Sequence, residues 1–187
     1  MLVDLSLNVT KFIRKEATYN LKKASFGHLG THFDVMNKTF PLSYVKREGI
    51  VFDVSDIEDR DIDFGDVDVS AVKENMFVAF YSGFIDKVQY GTKGYYAEHP
   101  QLSDRLIDKL LEQKISIIGI DFAGVRRGKE HTPKDQYCAD KGVFIVENLC
   151  NLEKILRNKK QNYFYANTYP INFSDMTGLP CRVIAEI

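Results

Sequence analysis

The sequence predicts an α/β fold with a mixed sheet, built as one domain over residues 1–187. Three observations carry that reading. Met76-Phe77-Val78-Ala79-Phe80-Tyr81 is a continuous apolar run, the mark of a strand buried on both faces. Residues 103–114 place Leu106, Ile107, Leu110 and Leu111 on one helical stripe, with Ser103 as cap and Asp104 in the first turn. The strand Ile115 to Asp121 follows at once. A strand, a helix and a second strand form a crossover unit, which is right-handed and pairs its strands in parallel.

The remaining elements follow in chain order. Val3 to Leu7 alternates apolar and polar residues and reads as a first strand. Residues 8–22 carry no decisive pattern. Gly49 to Val54 is a strand that runs into an acidic segment, Asp56 to Asp68, where turn residues dominate. Residues 83–100 read as a loop rich in Gly and Tyr. A second helix is expected to start at Thr132, with Pro133 at its first position, and to end near Gly142. Val143 to Val146 is the next strand, and Asn162 to Tyr165 and Val183 to Ile187 are candidate late strands. No linker, repeat or low-complexity stretch divides the chain.

Composition narrows the function classes. With Lys+Arg 25 against Asp+Glu 26 in 187 residues, no overall basic field invites nucleic acid. No run approaches the ~18 apolar residues of a membrane span, and no secretory leader is visible at Met1-Leu2-Val3-Asp4. Cys138, Cys150 and Cys181 are too few and scattered for a disulfide framework, so a cytoplasmic location is expected. The net charge of −1 averages an acidic run at 53–68 and a basic one at 154–160.

Chemistry concentrates in His28-Leu29-Gly30-Thr31-His32-Phe33-Asp34. His, His and Asp are good ligands for a divalent ion. In a flat strand, residues four apart lie about 13 Å from each other, too far to share an ion at ~2.1 Å. The chain must therefore bend, and Gly30 permits a bend. Beyond it, His32 and Asp34 share a face of an extended strand. The alternative is a polar strand or turn whose histidines cap loops. Other segments carry less. Asp59, Asp61 and Asp63 have the spacing of a calcium loop, but Gly65 comes one place late and Ser70 stands at the twelfth position, so the segment reads as a solvated acidic loop. Cys138 lies in an amphipathic helix and reads as a core thiol.

The pattern His28-x-Gly30-Thr31-His32-x-Asp34 resembles the H-x-G-T-H-x-D-x-P-x-H motif of the cyclase-like metal-dependent hydrolases, which include bacterial kynurenine formamidase and isatin hydrolase. Val3 to Ser6, Ile118 to Asp121, Gly142 to Leu149 and Gly178 to Ala185 resemble further family segments, in the same order. The resemblance spans nearly the whole chain. It implies a swivelling β/β/α fold, a homo-oligomer (dimer or tetramer), one or two divalent ions (Zn or Mn) and a small-molecule substrate. It also implies His28, His32, Asp34 and Glu147 as metal ligands. Three positions depart from the family. Met36 replaces the proline, Lys38 replaces the final histidine that acts as acid/base, and Asp135 stands where a third histidine is a ligand.

Asp135 either keeps the metal role, favouring harder ions, or serves the helix N-terminus in a capping box with Thr132. Lys38 either acts at the site, as a depressed base or a charged oxyanion stabiliser, or is a surface lysine. Phe33, Phe80, Phe84, Tyr95 and Tyr96 either line an apolar pocket or pack in the core. The resemblance implies hydrolysis of a small amide or cyclic amide. Arylformamidase activity (formylkynurenine to kynurenine and formate, in tryptophan catabolism) is its best-known example. The alternatives are a non-catalytic family member that still binds a metal or ligand, and a lyase or isomerase on the same scaffold.

Overall fold

The structure, a computed structural model, describes residues 1–18 and 26–187. Eight strands form its sheet: β1 Leu2–Asp4, β2 His32–Asp34, β3 Lys46–Asp53, β4 Phe77–Tyr81, β5 Ile117–Ile120, β6 Phe144–Glu147, β7 Gln161–Pro170 and β8 Gly178–Glu186. Their order is β1-β8-β2-β6-β5-β4-β3-β7, and an additional β7–β8 pairing closes seven of them into a ring. The expected mixed sheet is found: β3, β4, β5 and β6 run parallel, while β2, β7 and β8 pair antiparallel. Closure leaves few strand edges open to pairing with another chain.

Alternation along each strand sorts the core into two layers. Val51, Phe77, Ala79, Ile117, Val146, Phe164 and Val183 fill the interior of the ring. Ile50, Val78, Phe80, Ile118 and Ile145 face outward, where they meet Leu106, Ile107 and Leu110 of α4 (Asp104–Glu112) and Cys138 of α5 (His131–Asp140). Both faces of the parallel strands are thus buried, which is why they read as unbroken apolar runs. Ser103 caps α4 as expected, its hydroxyl accepting from Leu106 N–H at 3.0 Å.

Several boundaries differ from the expectation. The ambiguous residues after β1 include helix α1, Lys11–Thr18. The rest of that stretch, residues 19–22, and Ser25 before the histidine motif lie outside the described residues. The Gly- and Tyr-rich segment holds two short helices, α2 Phe84–Lys87 and α3 Lys93–Ala97, where Thr92 Oγ1 caps α3. The two late strands are long, because each pairs along most of its length with the other or with β3. Helix α5 begins at His131, so Pro133 is its third residue and Thr132 lies inside it. A last helix, α6, covers Leu152–Leu156.

Candidate metal centre

The centre lies on the outer face of the ring, between the β2–β6 pair and α5. Register places it there: His32 stands opposite Glu147 and Asp34 opposite Ile145. Residues two apart on β2 share a face, so His32, Asp34 and Glu147 all point to the side that α5 covers, while Phe33 and Val146 point into the ring. Helix α5 contributes His131 and Asp135, one turn apart on one face.

His28 reaches the same point because the chain bends before β2. Gly30 has φ +69°, and a Cβ there would stand 2.8 Å from Val9 Cγ2, so the bend needs glycine. The bend brings His28 Nδ1 within 3.1 Å of His32 Nε2 and 2.9 Å of Asp34 Oδ1. His32 Nε2 lies 3.6 Å from Asp34 Oδ1 and 3.5 Å from Glu147 Oε2. On the other side, His131 Nε2 lies 3.1 Å from Asp135 Oδ2 and 3.4 Å from Glu147 Oε1. Gly124 makes room for that ring, since a Cβ on it would meet His131 Nδ1 at 2.5 Å.

A hydrogen-bonded scaffold holds these side chains from behind. His32 Nδ1–H donates to Gly30 O at 2.9 Å, which leaves the Nε2 lone pair facing the carboxylates. His28 Nε2 shares a hydrogen bond with Thr177 Oγ1 at 2.8 Å. Asn148 Nδ2–H also donates to Gly30 O, while Asn148 Oδ1 accepts from Tyr95 Oη and Asn148 O accepts from Thr31 Oγ1. Gly30 N–H donates to Tyr90 Oη. Tyr90, Tyr95 and Asn148 therefore fix the bend that sets the two imidazoles. Such outer contacts orient metal-binding side chains.

The carboxylates are buried and short of partners. Asp34, Asp135 and Glu147 are 1%, 3% and 2% exposed. Of five buried side-chain atoms without a hydrogen-bond partner among the described residues, four are theirs: both oxygens of Asp34, Asp135 Oδ1 and Glu147 Oε1. His28 Nδ1 and Asp34 Oδ1 are close, yet their orientation gives Asp34 no hydrogen bond. An isolated buried carboxylate is costly, so this arrangement calls for a shared cation.

Titration follows from the same crowding. Burial pushes the Glu147 carboxyl up to about 8, with the charge of Asp34 adding to it. Burial likewise pushes Asp135 up to about 6, against the hydrogen bond from His131. Burial alone would lower His131, but Asp135 and Glu147 hold it up at about 10. His32 is raised too, since Asp34 and Glu147 outweigh its desolvation. Asp34 stays below the usual carboxylate range because its burial is outweighed by His32 and His28.

The spacing fits a divalent ion. Ligands at ~2.1 Å from a tetrahedral ion lie about 3.4 Å from each other. The distances among His28, His32 and Asp34 run from 2.9 to 3.6 Å. Two groups have one ligand atom per residue within 4.8 Å of one another, His28–His32–Asp34 and Asp34–His131–Asp135, and Asp34 belongs to both.

Over residues 3–126 the sequence matches the family model Cyclase, described as "Putative cyclase". The chain belongs to the cyclase family. The matched residues include the whole His28–Asp34 segment and end before His131, Asp135 and Glu147. Solved structures share the fold. One is described as a potential metal-dependent hydrolase with cyclase activity, 20% identical, with TM-score 0.74 over 99% of this chain and 96% of that one. Isatin hydrolase A from Labrenzia aggregata, bound to benzyl benzoate, is 16% identical with TM-score 0.74, over 99% and 93% of the two chains. Isatin hydrolase A from Ralstonia solanacearum is 14% identical with TM-score 0.75, over 99% and 91%. No curated protein sequence matches the chain.

The structure thus brings together His28, His32, Asp34, Asp135 and Glu147. It adds His131, which sequence reasoning missed although His131-x-x-x-Asp135 is a helical i, i+4 pair. Asp135 does not form a capping box with Thr132, because Thr132 is inside the helix and the carboxylate turns to His131. Lys38 is not brought to the cluster. Met36 turns the chain just past β2 with φ 56°, Lys38 N–H closes the turn on Val35 O, and Lys38 Nζ ion-pairs with Asp140 at 2.7 Å on the surface. Phe33, Phe80 and Tyr95 are fully buried core residues. Cys138 is a buried free thiol, as expected.

Proposed function

We propose that this cyclase-family chain is a metal-dependent hydrolase of a small amide or cyclic amide. The observation that carries the reading is the set of four unpartnered, buried carboxylate oxygens facing three imidazoles. His28, His32 and Asp34 would hold one divalent ion, Zn or Mn. Asp34, His131, Asp135 and Glu147 would hold a second. A bound ion of this kind supplies Lewis-acid polarisation of a carbonyl and a water of lowered pKa.

The chain's own side chains do the rest. Gly30 O and the Thr177 hydroxyl orient the rings of His32 and His28. Asp34 lies within reach of both groups, so it ties their positions together. The β2–β6 face and α5 exclude water from Asp34 and Glu147, which strengthens every charge interaction there. Arylformamidase activity is the specific form proposed first, and hydrolysis of isatin, a cyclic amide, is the second, because the isatin hydrolases share the fold.

A homo-oligomer and a cytoplasmic location belong to the same reading. Tyr163, Tyr165, Tyr169, Ile171 and Phe173 are all about half exposed along and just beyond β7, an apolar strip suited to a second copy. Cys138, Cys150 and Cys181 are free thiols, as a reducing compartment would keep them. Among the described residues no helix is long and apolar enough to cross a membrane.

The test is metal content together with turnover of formylkynurenine, isatin and a panel of simple amides and lactams, with Zn²⁺ or Mn²⁺ added. Metal-dependent product formation supports the proposal. Bound metal without turnover of any member would favour the non-catalytic or lyase/isomerase alternatives. Light scattering measures the oligomeric state.

A further inference from the structure

The two ligand groups of the metal centre are chemically unequal. Asp34 belongs to both. Glu147 also reaches both ends, with Oε2 3.5 Å from His32 Nε2 and Oε1 3.4 Å from His131 Nε2. These two carboxylates therefore cancel when the ends are compared. What remains is His28 with His32 at one end, and His131 with Asp135 at the other. One end adds two imidazoles; the other adds one imidazole and one carboxylate.

The fold holds that difference in place. At the first end both rings are fixed from behind, His32 Nδ1–H by Gly30 O at 2.9 Å and His28 Nε2 by Thr177 Oγ1 at 2.8 Å. Each ring thus turns its other nitrogen toward Asp34. At the second end Asp135 is 3% exposed, and its Oδ2 lies 3.1 Å from His131 Nε2. Asp135 Oδ1 has no hydrogen-bond partner among the described residues. Helix α5 presents Asp135 one turn from His131, so an oxygen completes this end where a nitrogen completes the other.

Donor type sorts ions. Imidazole suits Zn²⁺, which is satisfied by four ligands in a tetrahedron. Carboxylate and water suit Mn²⁺, which takes octahedral, oxygen-rich coordination. Zn²⁺ binds a given nitrogen–oxygen site more tightly than Mn²⁺. The distinction between the ends therefore lies in how strongly each favours zinc, and it decides which end fills when zinc is scarce.

We propose that the centre holds a mixed pair, Zn²⁺ on His28 and His32 and Mn²⁺ on His131 and Asp135, with Asp34 and Glu147 shared. The proposal rests on the two-ion reading above and adds which end takes which ion. The full chain, stripped of metal, is given one equivalent of Zn²⁺ and an excess of Mn²⁺, then freed of unbound ions. Metal analysis should find about one zinc and one manganese per chain. Electron paramagnetic resonance should show isolated Mn²⁺, because scarce zinc fills the same end of every chain. Random filling would instead leave some chains with two coupled manganese ions. Pulsed spectra should couple the Mn²⁺ to one imidazole and not two, a readout that needs no variant. Asp135→His makes the ends alike, so coupled Mn²⁺ pairs should appear under the same loading. Coupled pairs in the wild type, manganese on two imidazoles, or Asp135→His protein that binds both ions without forming pairs would overturn the proposal and leave a two-metal hydrolase standing. Failure to bind metal at all would overturn both. Mixed loading without turnover of any amide would keep the proposal and count against the hydrolase reading.

Discussion

Two buried carboxylate sites stand on strands that flank β6, and they are built in opposite ways. Asp121, just past β5, is 1% exposed and fully served: Ser82 Oγ–H and N–H donate to Oδ1, and Gly83 N–H donates to Oδ2 at 2.7 Å. Asp34, equally buried, has no hydrogen bond on either oxygen and sits among three imidazoles and two further carboxylates. The difference teaches what each is for. A carboxylate given its donors by the backbone ties two strand ends together. Carboxylates left without donors, with imidazoles crowded around the same point, are what the proposed cation would complete.

Mutations that touch one site and spare the other sharpen this contrast. The largest effect is expected from Asp34→Ala, which removes the residue common to both ligand groups. Metal analysis should find both ions lost, with affinity down at least on the order of 100-fold. His131→Ala comes next. It should reduce bound metal by about one equivalent while the His28–His32–Asp34 group still binds; unchanged stoichiometry would remove His131 from the ligand set.

Asp121→Asn should leave metal content untouched and lower stability by about 2–3 kcal/mol in urea unfolding, because the new amide would set donors against the Ser82 and Gly83 N–H groups. A smaller effect is tied to His99, whose imidazole is held at about 4 when folded against an ordinary 6.5. Between those pH values the unfolded chain binds more protons, so stability is full above pH 6.5 and falls as pH drops toward 4. His99→Phe should flatten that slope by on the order of 2 kcal/mol across the window. Smallest of all, Lys38→Ala should change stability by less than about 0.5 kcal/mol, since its exposed pair with Asp140 is screened. Its kcat should stay within about twofold of wild type, and a large loss in a turnover assay would return Lys38 to the site.

Much of this was legible in the sequence, for reasons that can be named. The apolar runs at 76–81 and 143–146 are buried on both faces, so their strands announced themselves. Ser103 marked the start of its helix by cap chemistry. Gly30 marked a bend because two histidines four apart cannot otherwise share an ion. Thr132-Pro133 imitates a helix entrance, whereas α5 begins one residue earlier, and this leaves His131 without a sequence signal of its own. The role of Lys38 depended on the path after β2, which Met36 redirects with a backbone conformation that non-glycine residues rarely adopt.

The sequence by itself determined the alternation that puts His32 and Asp34 on one face, the bend that brings His28 to them, and the family to which the chain belongs. Those are local matters of two-residue period, glycine freedom and motif. Only the tertiary structure decided that Glu147 stands opposite His32, that α5 delivers His131 and Asp135 to the same point, and that Lys38 does not arrive. Those facts arise from strand register and helix packing between segments about a hundred residues apart, where the free energy of burying shared apolar faces sets the partner and no local pattern does.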